Sequence, residues 1–161
     1  MIREKELLLD GALIRYRVGG NPAHETLVFL HGRPGREFHK SRVLDVLAQD
    51  YYVIAPENPG FLRSEPLKNY VNTLEQYADV AFQTVKNEGR DTKPSIVMGQ
   101  SFGGIIASFF AEKYPDHTKT LILTDSVMAD KHQDLLRKIL RKHGKLIIRI
   151  FLRLPNKVKR F

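Results

Sequence analysis

The chain opens with two runs in which polar and apolar residues alternate. EKELLLD and ALIRYRV flank Asp10-Gly11, a dipeptide suited to a two-residue turn, and together they predict a β-hairpin. Four short apolar runs bounded by turn residues follow: TLVFL (26–30), YYVIAP (51–56), PSIVMG (94–99) and TLILTD (120–125). Runs of that length and kind predict buried strands. The intervening segments carry apolar residues at helical spacing. Val43, Leu44 and Leu47 predict a helix over about residues 40–49, and Leu74, Tyr77, Ala78, Ala81 and Val85 predict one over about 73–88. A third runs from Ser101 to about Tyr114 and stops before Pro115. ENPGFLRSEPLKN, rich in turn residues, is a loop. Strands alternating with helices predict an α/β fold: a mostly parallel sheet of about six strands, with the hairpin at its N-terminal side and helices on both faces.

The alternation stops after Asp125. DLLRKILRKHGKLIIRIFLRL pairs apolar with basic residues, which predicts helix over about 131–154, broken near His143-Gly144. Leu135, Leu136, Ile139 and Leu140 would form one face, with Arg137, Lys138, Arg141 and Lys142 largely off it. Ile147, Ile148, Phe151 and Leu152 would continue the apolar face after Gly144. The chain thus divides into an α/β core, 1–126, and a basic amphipathic helical segment, 127–161. With no further strand expected, TLILT would be an exposed apolar edge, open to self-association with another chain.

Composition narrows this little. The 161 residues suffice for one domain with a sizeable core. There is no cysteine, hence no disulfide and no thiolate metal site, in keeping with a cytoplasmic setting. MIREKELLLDG lacks the apolar stretch of a signal peptide, and no run is long enough to span a bilayer. The formal net charge is +8, and from Lys131 onward eleven Lys or Arg face one acid, Asp134. The excess is confined to the tail, unlike a uniformly basic nucleic-acid binder, so no nucleic acid is expected as partner. A basic amphipathic tail suits a lid over an apolar pocket, contact with an anionic membrane surface, or an ordinary solvated helix that packs on the sheet or on a second copy.

The candidate chemistry lies in VMGQSFGGIIA. Ser101 sits between Gly99 and Gly103, where a predicted strand passes into a predicted helix. A sharp turn there would hold the serine oxygen clear of the sheet at a helix N-terminus, which favours developing negative charge. Gly99 and Gly103 omit side chains that would clash as strand and helix pack. A serine attacking a carbonyl needs donors for the oxyanion. The N–H of Phe102 is one candidate. The N–H of Arg33, in the loop LVFLHGRPG directly after a strand, is the other, with Gly32 allowing the backbone to turn.

LVFLHGRPG, YYVIAPENPGFLRSE, IVMGQSFGGIIA and TLILTDS, in this order, resemble the α/β-hydrolase fold family over roughly residues 5–126. The resemblance identifies GQSFG as the nucleophile elbow and His31-Gly32 as the loop beside it. It implies a serine hydrolase acting on an ester-like or related carbonyl of a small apolar substrate, with no metal or organic cofactor. The serine sets the chain apart from branches with an aspartate nucleophile. In the loop after the fourth strand Glu57 stands for the usual aspartate and Leu62 for the usual second glycine. The family order is serine, acid, histidine, and some members carry the acid where Asp125 stands. The family histidine follows a last strand that has no counterpart in the predicted elements. Of the histidines present, His31 is expected to make a structural hydrogen bond near the site. His24 and His39 are expected at the surface and His117 behind the sheet. His132 and His143 fall in the lid segment. The expectation is therefore a truncated hydrolase, weakly active or inactive alone. The alternative is a non-catalytic relative that binds a small apolar ligand or a partner chain.

Overall fold

The computed structural model describes residues 1–33, 35, 42–68, 73–126, 134, 135, 137–139 and 147–151. Strands β1 (Arg3–Leu9) and β2 (Ala12–Gly19) form the predicted hairpin, with Leu9 opposite Ala12. Asp10 and Gly11 both have positive φ, 49° and 74°, the backbone of the turn that matches strand twist. Then come β3 (Thr26–Leu30), α1 (Val43–Asp50), β4 (Tyr52–Pro56), α2 (Leu74–Asn87), β5 (Ser95–Gln100), α3 (Phe102–Lys113), a 3₁₀ turn at Pro115–His117, and β6 (Thr118–Thr124). With β7 (Ile147–Phe151) the sheet order is β1-β2-β4-β3-β5-β6-β7. The first two pairings, β1 with β2 and β2 with β4, are antiparallel, and the rest are parallel.

The period of two along the central strands builds two cores. Val28 and Leu30 of β3, Ile54 of β4, Val97 of β5, and Leu121 and Leu123 of β6 meet α2 and α3 on one face. Leu27, Phe29, Val53, Ala55 and Ile96 meet Leu44 of α1 on the other. Alternate side chains point to opposite sides of a strand, so a strand buried on both faces must be apolar throughout. Phe110, Ile106 and Tyr16 are almost fully enclosed in the first core, each stabilising by about 1.5–3 kcal/mol through burial. Helix α2 starts at a capping box: Thr73 Oγ1 accepts the Gln76 N–H at 3.3 Å, and Gln76 Oε1 accepts the Thr73 N–H at 2.8 Å.

The structure corrects the reading of the basic segment. Ile147–Phe151, expected as helix, is a seventh strand, β7, parallel to β6 with Thr120 opposite Ile147 and Thr124 opposite Phe151. The edge of β6 expected to be open to another chain is therefore occupied by β7. A short segment such as IIRIF, apolar but for Arg149, fits both a helix and a strand, and here the unpaired N–H and C=O groups of β6 select the strand. Residues 134, 135 and 137–139 are helical. Ile139 is buried in the α2–α3 core with Leu135 against it, and Lys138 pairs with Glu112 of α3. This turn packs beside α3 as part of the crossover from β6 to β7. Leu136, Leu140 and most of the segment expected as a lid lie outside the described residues. Among the described residues no helix is long and apolar enough to cross a membrane.

Candidate active site

Parallel strands bring successive loops to one edge of the sheet, at their carboxyl ends, where α/β folds carry ligands. The loop after β3, the loop after β4, Ser101 after β5 and Asp125 after β6 all lie on that edge. Ser101 has φ 49° and ψ −117°, a region that costs a non-glycine residue about 1–3 kcal/mol. Its N–H donates to the Thr124 carbonyl at 2.9 Å, and its own carbonyl accepts the Gly104 N–H at 2.9 Å. These bonds on either side hold the strained turn. Ser101 as a residue is half-buried, and its hydroxyl does not cap α3 and has no partner among the described residues.

Close approach explains the glycines. A Cβ at Gly99 would lie 2.6 Å from the Gly103 carbonyl carbon, and a Cβ at Gly103 2.6 Å from the His31 carbonyl oxygen. The start of α3 therefore rests directly on the ends of β5 and β3. The loop after β3 is adjacent as well: a Cβ at Gly32 would stand 3.2 Å from Ser101 Cβ. The N–H groups of Arg33 and Phe102 find no acceptor among the described residues.

His31 is buried, 1% exposed, and both ring nitrogens are engaged. Its Nε2 accepts the Asn58 N–H at 3.1 Å, and its Nδ1 donates to the Gly32 carbonyl at 2.8 Å. A backbone N–H only donates and a carbonyl only accepts, which fixes the neutral Nδ1–H tautomer. The ring fastens the loops after β3 and β4 together, the structural bond expected of it. Within the second loop, buried Glu57 accepts the Arg63 N–H at 2.9 Å and the Arg63 guanidinium at 3.0 Å. Ser64 Oγ accepts the Arg15 N–H and donates to the Glu57 carbonyl, both at 2.9 Å. Leu62 adopts φ 54°, so the left-handed turn survives without a glycine to make it easy.

Asp125 is exposed, also with positive φ, one residue beyond the Thr124 carbonyl that binds Ser101. It stands at the right edge and has no bond to an imidazole among the described residues. His117 packs against Phe82 with the rings tilted and their centroids 4.7 Å apart, at the far end of β6, and His24 lies at the amino end of β3. His39, His132 and His143 lie outside the described residues. No group of three or more metal-ligating side chains converges among the described residues.

A cleft of about 510 Å³ opens beside the elbow, lined by Arg33, Pro59, Gly60, Phe61, Leu74, Tyr77 and Phe102. Phe61, Tyr77 and Phe102 pack mutually at 6.0–6.2 Å between ring centroids. Sequence patterning placed Leu74 and Tyr77 in a helix but gave no sign that they would meet Phe61 and Phe102. That meeting needs the loop after β4 to fold across α2.

The sequence profile of the alpha/beta hydrolase fold matches residues 25–155. Proline iminopeptidase PfmaB of Pestalotiopsis fici is 29% identical over 128 residues, covering 78% of this chain and 45% of that protein. Lipase 1 of Psychrobacter immobilis is 30% identical over 119 residues, covering 74% of this chain and 37% of that protein. The crystal structure of Cfl2 from Burkholderia cenocepacia superposes with a TM-score of 0.69 at 26% identity, over 79% of this chain and 42% of that one. The chain spans less than half the length of these relatives. With a profile match from the strand before the His31 loop to beyond β7, and a serine turn at the end of β5, the chain belongs to the α/β-hydrolase fold family.

Proposed function

We propose that this chain carries the nucleophile and oxyanion half of a serine hydrolase acting on an ester-like carbonyl with an apolar body. The observation that carries it is Ser101: a strained residue at a strand–helix turn, its hydroxyl free of any described partner, packed against the loop after β3. In this reading Ser101 Oγ attacks the carbonyl carbon. The N–H groups of Phe102 and Arg33 hold the oxyanion, where preorganised donors act most strongly. The tetrahedral intermediate expels the alcohol, and water then releases the acid. Asp125 is the candidate orienter of a base. The proton acceptor is the component the described residues do not supply, because His31 is committed at both nitrogens. A triad without its base loses several orders of magnitude in turnover, so in this reading full turnover depends on a base from outside the described residues.

The test is labelling by a fluorophosphonate probe, compared with Ser101→Ala. Labelling that disappears in the variant supports the reading. A chain folded by circular dichroism but unlabelled would favour instead a relative that binds a small apolar ligand without chemistry.

A further inference from the structure

The geometry points to the Arg33 side chain as the receptor for an oxyanion, carboxylate or phosphate, carried by an otherwise apolar substrate in the cleft beside Ser101. As a statement of substrate class this rests on Ser101 being the nucleophile. As a statement of binding it does not.

The argument starts from what surrounds the guanidinium. Its central carbon lies 5.1 Å from the ring centroid of Phe61 and 5.5 Å from that of Phe102. The planar group is thus set over two rings at the mouth of the cleft, by cation–π attraction as well as by packing. Among the described residues none that lines the cleft is acidic, and no described carboxylate pairs with Arg33. Glu57, the nearest acid along the loop after β4, is buried and turned to Arg63. A second donor faces the same space. Tyr77 is 7% exposed, lines the cleft, and its hydroxyl has no described hydrogen-bond partner. Burial pushes the Tyr77 hydroxyl up and the Arg33 charge partly offsets this, so the phenol stays protonated and able to donate at neutral pH. The remaining walls, Pro59, Phe61, Leu74 and Phe102, offer nothing polar from their side chains. A ligand suited to this cleft has an apolar or aromatic body against those walls and an oxyanion reaching the guanidinium fork. That planar fork matches carboxylate and phosphate geometry.

A chain with net charge +8 attracts anions in general, and the test separates the local from the general effect. Phenylacetate, phenyl phosphate and phenylacetamide are titrated by NMR at low salt into the full chain carrying Ser101→Ala. Both anions are expected to bind about tenfold tighter than the neutral amide, with the gap narrowing at high salt. Adding Arg33→Gln should close the gap while amide binding persists. Arg33→Lys, with charge but no fork, should keep part of it, and Tyr77→Phe should narrow it. Lys93→Gln, at the opposite end of the sheet among the residues around Pro22–Thr26, should leave it intact. Equal affinities, a gap that survives Arg33→Gln, a gap that falls as much in Lys93→Gln, or no binding by any of the three would each overturn the proposal. The titration needs no nucleophile, whereas probe labelling reads Ser101 alone, so the two readings fail separately.

Discussion

The Nε2 of His31 accepts the backbone N–H of Asn58 across 3.1 Å, joining the loop that faces Ser101 to the loop that floors the cleft. The same ring stands edge-on to Phe61 at 6.2 Å. One buried imidazole therefore sets the position of both Arg33 and the aromatic wall. Replacing it by alanine leaves the Asn58 N–H without its acceptor and opens a void. His31→Ala is expected to destabilise by about 2–4 kcal/mol, measured by urea unfolding, and to reduce probe labelling of Ser101 under conditions where the variant is still folded.

The contact between α3 and the end of β3 is close enough to be tested with one methyl group. A Cβ at Gly103 would meet the carbonyl oxygens of Leu30 and His31, backbone atoms that cannot yield alone. Gly103→Ala is expected to cost about 3 kcal/mol or more. Gly89 has φ 64°, and a Cβ there would meet nothing within 4 Å, so Gly89→Ala should cost only about 1 kcal/mol, the backbone penalty. Similar losses in the two variants, measured by chemical denaturation, would contradict this packing.

Strain at the elbow predicts a trade between stability and chemistry. Glycine adopts the Ser101 backbone without the side-chain penalty. Ser101→Gly is expected to raise unfolding stability by about 1 kcal/mol, net of the extra freedom of the unfolded chain, and to abolish labelling. A loss of stability would mean that the hydroxyl makes a stabilising bond.

A carboxylate away from the site governs acid stability. Glu88 follows α2 with its side chain 4% exposed. It accepts from Lys5 Nζ at 2.8 and 3.0 Å, Tyr16 Oη at 2.6 Å and Tyr52 Oη at 2.9 Å. Burial alone would raise its pKa, but the bonds from Lys5, Tyr16 and Tyr52 outweigh burial and lower it. A lowered folded value means stability that is present above the ordinary glutamate range and is lost as pH falls through the folded value. Glu88→Gln is expected to cost about 1–3 kcal/mol at pH 7. The difference from the parent should shrink toward zero in acid, read from unfolding midpoints across pH 2–7. Burial, followed by the bond to Glu88, also raises the Tyr16 hydroxyl, so its contribution should fade as pH climbs past the usual tyrosine value.

Much of the fold was legible in local patterns. The Asp10-Gly11 hairpin, the apolar runs of β3 to β6 and the periodicity of α2 each reflect a preference of a few neighbouring residues, and each formed within a residue or two of its expected bounds. The elbow was legible in part for the same reason: Gly99 is demanded by the turn itself, where a Cβ would meet Gly103, whereas Gly103 makes room for the carbonyls of Leu30 and His31, a contact from far along the chain. Ile147–Phe151 was misread because both periods fit it, and the choice was made by a partner more than twenty residues earlier.

Taken alone, the order of residues specified where strands and helices form, which serine stands at the sharp turn, and that the positive charge gathers after Lys131, because these depend on short-range sterics and counting. Tertiary structure alone decided that β4 inserts between β2 and β3, that β7 covers β6, that His31 spends both nitrogens on loops, and that Arg33 rests over Phe61 and Phe102. Each of those is a meeting of residues far apart in the chain, set by which buried faces and unpaired backbone groups satisfy one another once the sheet is assembled.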